Sequence, residues 1–345
     1  MDDYLLRFFD YHQPRRLRVI ENTLKGQRSV ANLFWAQQYG FLNWQGAWRT
    51  LTRQKFNQLI AELVQQKLLN LVDDEGKLTE KGVAYLENDC QMSYQPAFYD
   101  WYWVANTKRV NQRLLLAVQV ISEYSYRRVN YAPLNVTYRE MVAVKQWFRR
   151  YYRQQPALQM QQQLEQFGQS LASEDQRLVD DFFNLLIGHD GPGWTTGQAG
   201  NHLGLTAADM RVLRHDEFLA VSAYALKVPG ILHNLLAPIL SPSPLKQSGQ
   251  ISINLYQRGF SLEQIAQRRH LKISTVREHL LEAALLIPKQ LDWDKLLPPE
   301  IRAELSQLYQ GDVTQWHYQN RGEDPGMGFY QYRLYQIFQG GHDHG

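Results

Sequence analysis

Between residues 268 and 278 the chain carries Arg268, Arg269, Lys272, Ser274, Thr275, Arg277 and Glu278, a set whose donors and acceptors suit nucleic-acid recognition. A guanidinium can fork onto O6 and N7 of guanine, a hydroxyl can reach a base or a phosphate, and a carboxylate can accept from the N4 amine of cytosine. Such groups read a groove only if a rigid element carries them into it. Leu262, Ile265 and Ala266 recur at i, i+3 and i+4, the pattern breaks at His270–Ile273, and Ile273, Val276 and Leu280 resume it. This predicts two short helices joined by a tight turn, the helix-turn-helix. Small Ala266 allows the helices to approach, Leu271 and Val276 close a miniature core, and Ser261 with Glu263 suits the first helix's cap and dipole. In that arrangement Lys272, Ser274, Arg277 and Glu278, with Thr275 beside them, meet base edges. Arg268 and Arg269 then lie near the phosphates and add salt-dependent affinity. Glu278 and Glu282 are expected on the exposed side, where they oppose phosphate. From Arg258 to Leu280 five bases face two acids, a modest attraction.

The stretch from about Asn254 to Leu291 resembles the helicase-associated helix-turn-helix domain. That domain occurs at the C-terminus of some RecQ-type helicases and in the bacterial YpbB-like proteins that accompany such helicases. The matching residues are Leu255-Tyr256, Gly259 to Leu262, Ile265-Ala266, Arg269, Ser274 to Val276 and His279-Leu280. Two positions depart from the family pattern. His270 stands where the family has Gly, at a turn position that calls for positive φ, and Lys272 replaces a small capping residue. The resemblance implies a non-enzymatic accessory of a RecQ-type helicase in DNA repair or recombination, cytoplasmic and bacterial, with DNA and the helicase as partners. The motif alone leaves a transcriptional regulator as the alternative, and a docking module without DNA as a third.

Composition narrows the rest. At 345 residues there is room for two or three domains with real cores. The net charge of +3 does not by itself announce a nucleic-acid partner. Cys90 is the only cysteine, which excludes a disulfide framework and a cysteine-based zinc site. The first residues lack a signal-peptide pattern and no apolar run is long enough to span a bilayer, so a cytoplasmic protein without a membrane partner is expected. No Gly-x-x-x-x-Gly-Lys-Ser/Thr loop, Gly-x-Ser-x-Gly or His-Glu-x-x-His appears, so neither catalysis, a cofactor nor a small-molecule substrate is expected. His342 and His344 flank Asp343, but a chain end loses too much entropy on ordering to hold a dedicated metal site.

The expected fold is mainly α: a winged-helix-like domain with a small β-hairpin over 1–93, an aromatic helical middle over 94–240, and the helix-turn-helix with further helices over 250–345. In the first, Leu17–Leu24 and Val30–Tyr39 form two helices, and Thr52 caps a third with an apolar stripe of Phe56, Leu59, Ile60, Leu63 and Val64. A hairpin turning at Asp73-Asp74-Glu75-Gly76 stands as the wing. Arg53, Lys55 and Asn57 could meet DNA there, but three acids at the wing tip repel phosphate and favour a docking module. In the middle, ten bases face three acids between Phe98 and Arg153, a net +7, with tyrosines interleaved. That mixture suits either a stacking platform for single strands or a helical core rimmed by Arg and Lys stems, and the second is favoured. Gly188–Gly200 reads as a loop, and a degenerate helix-turn-helix is possible from Thr196. Pro229–Pro244 is the best boundary. The aromatic segment Phe329–Phe338 is expected to pack on its own domain.

Overall fold

The computed structural model describes residues 3–88, 94–320 and 324–342. It is mainly helical, with one small sheet near the N-terminus. The paired Arg15–Arg16 (β1) leads into Leu17–Lys25 (α1), which stops at Gly26 with φ 81°. Val30–Gln38 (α2) is capped by Ser29, whose Oγ accepts from Asn32 N at 3.2 Å. Thr52 caps Arg53–Gln65 (α3) by accepting from Lys55 N, and Phe56, Leu59, Ile60 and Leu63 are its buried stripe, as their spacing predicts. Leu69–Val72 (β2) and Glu75–Leu78 (β3) pair antiparallel across Asp73-Asp74, and β1 joins the other edge of β3. Glu80–Asn88 (α4) then closes over the hairpin. Gly82 permits that closure, because a Cβ there would stand 2.1 Å from the Leu68 carbonyl oxygen.

The middle is a helical assembly of Thr107–Ser125 (α5), Tyr138–Tyr151 (α6), Pro156–Ala172 (α7), Gln176–Leu185 (α8), Thr196–Leu203 (α9), Ala207–Lys227 (α10) and Ile231–Leu236 (α11). Helix α10 is its axis: α5, α7, α8, α9 and α11 pack on it, and both apolar and charged residues along it are buried. Each buried charge has a particular setting. Asp216 accepts from Tyr94 Oη, from Ala97 N at 2.7 Å and from Phe98 N at 2.8 Å, pinning the entry segment to the axis. Arg214 donates to both oxygens of Asp181 at 2.9 and 3.0 Å. Arg109 and Arg113 converge on Glu140. Glu217 is fully buried and neither of its oxygens accepts a hydrogen bond.

The last part comprises Gln247–Gln257 (α12), Leu262–Arg269 (α13), Ile273–Leu286 (α14), Trp293–Leu296 (α15), Pro299–Leu308 (α16) and Pro325–His342 (α17). Helix α14 is central, touching α12, α13, α17 and α2. Tyr330, Tyr332, Leu334, Tyr335 and Ile337 of α17 enter the same core, with Tyr335 stacked on Trp316 at 5.5 Å. The aromatic segment does pack on its own domain.

The chain divides into two compact units: residues 1–26 with 43–242, and residues 27–42 with 243–345. The boundary near Pro242 falls inside the Pro229–Pro244 stretch read from sequence. The first 93 residues are not one unit, however. Helix α2 leaves the winged-helix-like region and supplies Val30, Leu33 and Phe34 to the core built around α14. Periodicity marks a helix as having a face to bury but is silent on what covers it. No single described helix is long and apolar enough to cross a membrane. Helix α10 with Ile231–Ile239 passes that test only as a pair, bent by 109°.

Candidate nucleic-acid interface

The helix-turn-helix follows from local chemistry. Ser261 accepts from Gln264 N while the Gln264 side chain accepts from Ser261 N at 2.9 Å, a reciprocal capping box, and Ser261 Oγ also donates to Glu263 at 2.8 Å. Helix α13 ends at His270, whose φ of 53° is the left-handed conformation anticipated from the family's Gly. The turn is fixed by Leu271 N donating to the Ala266 carbonyl at 2.9 Å. Lys272 precedes α14 without a side-chain cap. Ile265, Ala266, Val276 and Leu280 are buried between the helices, with Leu262, Leu271 and Ile273 packed at the edge.

The residues singled out from sequence divide into presented and committed groups. Lys272 and Ser274 are exposed at the start of α14, Thr275 is half-buried beside them, and Glu278 is exposed one turn on. Arg268 is exposed at the end of α13, its guanidinium 5.1 Å from the Phe260 ring centroid. Arg269 is turned inward. It donates to the Ser248 carbonyl at 2.8 Å, to Ser248 Oγ at 3.0 Å and to Ser252 Oγ, clamping α13 to α12. Ser252 in turn meets His279 Nδ1 at 2.9 Å, and burial together with the Arg269 charge holds His279 below its usual range. Arg277 is paired with Asp324 at 2.9 Å and only 11% exposed, so the guanidinium read as a guanine fork is held by a carboxylate of its own chain.

Glu282 corrects an expectation. It is buried, not exposed, and its carboxylate accepts from Arg28 at 2.8 Å while Arg28 also donates to the Pro244 carbonyl. The cause is α2, which covers the side of α14 that a free-standing helix-turn-helix would leave open. Glu282 therefore does not oppose phosphate. Arg28, Ser248 and Asp324 are the partners that sequence reasoning missed, since each is distant in the chain or lacks periodicity.

The other candidate regions sort by exposure. At the wing, Arg53 is bound to buried Glu21, which also takes Arg18 and Lys25 at 3.4 Å each, leaving Lys55 and Asn57 exposed. The degenerate pattern from Thr196 does fold as helix, turn and helix. Capping boxes at Thr195 and Thr206 bracket Gly204 at φ 67°. Its second helix is α10, mostly buried as the axis of its unit, with Arg211 over the Trp48 ring and Arg214 held by Asp181. In the basic middle, Trp147 is core, with Nε1 donating to the Ile231 carbonyl at 3.3 Å. Tyr124, Tyr126, Tyr138 and Tyr152 are exposed. The terminal Asp343 and His344 lie outside the described residues. Among the described residues no group of His, Cys, Asp and Glu is arranged to hold a metal.

Residues 248–315 match the family model of a helix-turn-helix domain, a span from the first turn of α12 through the short turn Val313–Gln315. A domain of this kind suggests DNA binding. No curated protein and no solved structure matches the chain.

Proposed function

We propose that this chain is a non-enzymatic DNA-binding protein that grips duplex DNA through α13 and α14 with little sequence preference, as the accessory of a RecQ-type helicase. One observation carries the preference. Arg277, the side chain best suited to bidentate base reading, is engaged with Asp324, while of the groups left exposed Arg268, Lys272 and Ser274 are suited to phosphate and Glu278 alone opposes it. Phosphate contacts give salt-dependent affinity and no sequence discrimination, which fits an accessory better than a regulator. The helicase partnership is supported by the resemblance of Leu255–Leu280 to the helicase-associated domain. Its physical logic is that an ATP-driven motor needs a duplex grip and the accessory supplies one.

Binding of a labelled duplex to the intact protein, followed by anisotropy across a salt series, tests the grip. Arg268→Glu with Lys272→Glu should weaken binding at least tenfold and flatten the salt slope by roughly 0.9 for each phosphate that is no longer neutralised. Unchanged binding would remove α14 as the DNA-binding element. The partnership is tested by affinity purification from nuclease-treated extract with mass spectrometry. Stoichiometric helicase supports it, whereas a dimer recovered alone that selects one sequence would establish the regulator instead.

A further inference from the structure

The outer face of α6 is both aromatic and basic. Tyr138, Lys145, Arg149 and Tyr152 fall within one narrow stripe of the helix, opposite the buried Glu140, Val144 and Trp147. The stripe is roughly 20 Å long at 1.5 Å per residue. It continues onto the C-terminal end of α5, because Tyr124 Oη donates to the Tyr152 carbonyl at 2.8 Å and the Tyr124 ring packs edge-on against Phe148 at 5.2 Å. Just beyond α5, the Tyr126 ring lies over His189 at 4.4 Å and 32°, leaving its other face in solvent at 65% exposure. His189 is itself held by Glu123 at 3.0 Å, so this stack has a fixed base.

Charge on this face is mostly positive, with the exposed Asp190 carboxylate 3.4 Å from His189 Nε2 as its acid beside the stack. The side chains of Arg127, Arg128, Arg139, Lys145, Arg149 and Arg150 are exposed and form no hydrogen bond or ion pair among the described residues. The one acid on α6, Glu140, is buried and neutralised by Arg109 and Arg113. Arg127 adds a conformational argument. It occupies the left-handed position of the α5 C-terminal motif, with φ 57°, its N–H to Tyr124 and the Arg128 N–H to Glu123. Gly takes that position without strain, and here an unpaired arginine is placed there and turned to solvent.

We infer that this face is a binding site for single-stranded nucleic acid. Successive bases stack on the exposed tyrosines and the unpaired cations follow the phosphates. A membrane surface would also attract the charge, but Tyr126 is pre-stacked on His189 to receive another planar ring. The site is independent of the helix-turn-helix.

The experiment titrates the full-length protein with labelled dT20, rU20 and a 20-base-pair duplex, and separately with phosphatidylserine vesicles. Both single strands should bind with strong salt dependence, any preference between them reporting the sugar and the thymine methyl together. Tyr126→Ala should weaken single-strand binding between about fivefold and a hundredfold. Arg127→Gly should lower the salt slope by about 0.7 while leaving Tm unchanged, since the backbone at that position prefers Gly. Lys272→Glu should weaken the duplex and leave dT20 untouched. The inference is overturned if single strands fail to bind, if Lys272→Glu abolishes dT20 binding too, if Tyr126→Ala and Arg127→Gly change nothing, or if vesicles alone bind.

Discussion

Glu217 and Asp216 sit side by side on α10 and meet different surroundings. Burial pushes Asp216 up to about 6, even though Tyr94 and two backbone N–H groups stabilise its charge. Glu217 is pushed well above the ordinary carboxyl range by burial first and by the nearby Asp181 carboxylate second, with only Arg214 opposing. The neutral acid is therefore the form the fold favours. In the unfolded chain the same group ionises near 4.5. Its folded pKa is raised, so its contribution to stability is fully present below that value and is lost as pH rises toward the folded pKa. Gln cannot titrate, and Glu217→Gln should accordingly match the parent below about pH 4 and become more stable above it. The gap should widen at a slope approaching about 1.4 kcal/mol per pH unit. Denaturant unfolding at a series of pH values checks this, and parallel curves for the two proteins would show that Glu217 is ionised in the fold. Residue types alone could not separate these neighbours, because an Asp-Glu pair in a helix ordinarily faces water.

Helix α14 is asked to do two things along its length. Its first turns present Lys272 and Ser274, while Leu280 to Leu285 form the centre of a core shared with α2, α12, α13 and α17. The local half of this was legible in the sequence: the caps, the break at His270 and the apolar stripe are all governed by neighbours within a few residues. The other half was not. Whether Arg277 is presented or engaged depends on Asp324, 47 residues away, and whether Glu282 is exposed depends on Arg28, 254 residues away. The Asp324 pair has a functional consequence. The Arg277 hydrogen bond and charge hold the Asp324 carboxyl below its usual range, so the pair persists across neutral pH. Asp324→Ala releases the guanidinium at the start of the candidate interface. Duplex affinity should rise severalfold and the salt slope should steepen by about 0.9 if the released group takes a phosphate. If it takes guanine instead, a panel of duplexes should begin to be discriminated by about 1–3 kcal/mol at one base pair. No change in either would place Arg277 away from the DNA.

At the scale of the molecule, the path of the chain matters more than the inventory of its elements. The mainly helical class, the small sheet, the helix-turn-helix and the late boundary all follow from periodicity and turn chemistry, but the assignment of α2 does not. Two stretches with equal claim to a buried face, α1 and α2, go to different units. As a result the unit that carries the candidate interface is discontinuous. It is completed by 27–42, residues that precede by some 200 the domain they serve. Leu33 and Phe34 are fully buried in that core and Arg28 is the partner of buried Glu282, so a fragment beginning at Ser243 would expose an apolar face and strand a carboxylate. Each large apolar side chain of α2 withdrawn from that core forfeits about 1.5–3 kcal/mol of burial, and Leu33 and Phe34 together approach the lower end of a domain's whole stability. The fragment 243–345 should therefore show no cooperative thermal unfolding by circular dichroism. Fusing residues 27–42 to its N-terminus through a flexible linker should restore a cooperative transition, and with it duplex binding sensitive to Lys272→Glu. Substituting Glu282→Gln within the bare fragment should recover little, because the uncovered α2 face would remain. Cooperative folding of 243–345 alone would mean that α2 decorates this unit and does not complete it.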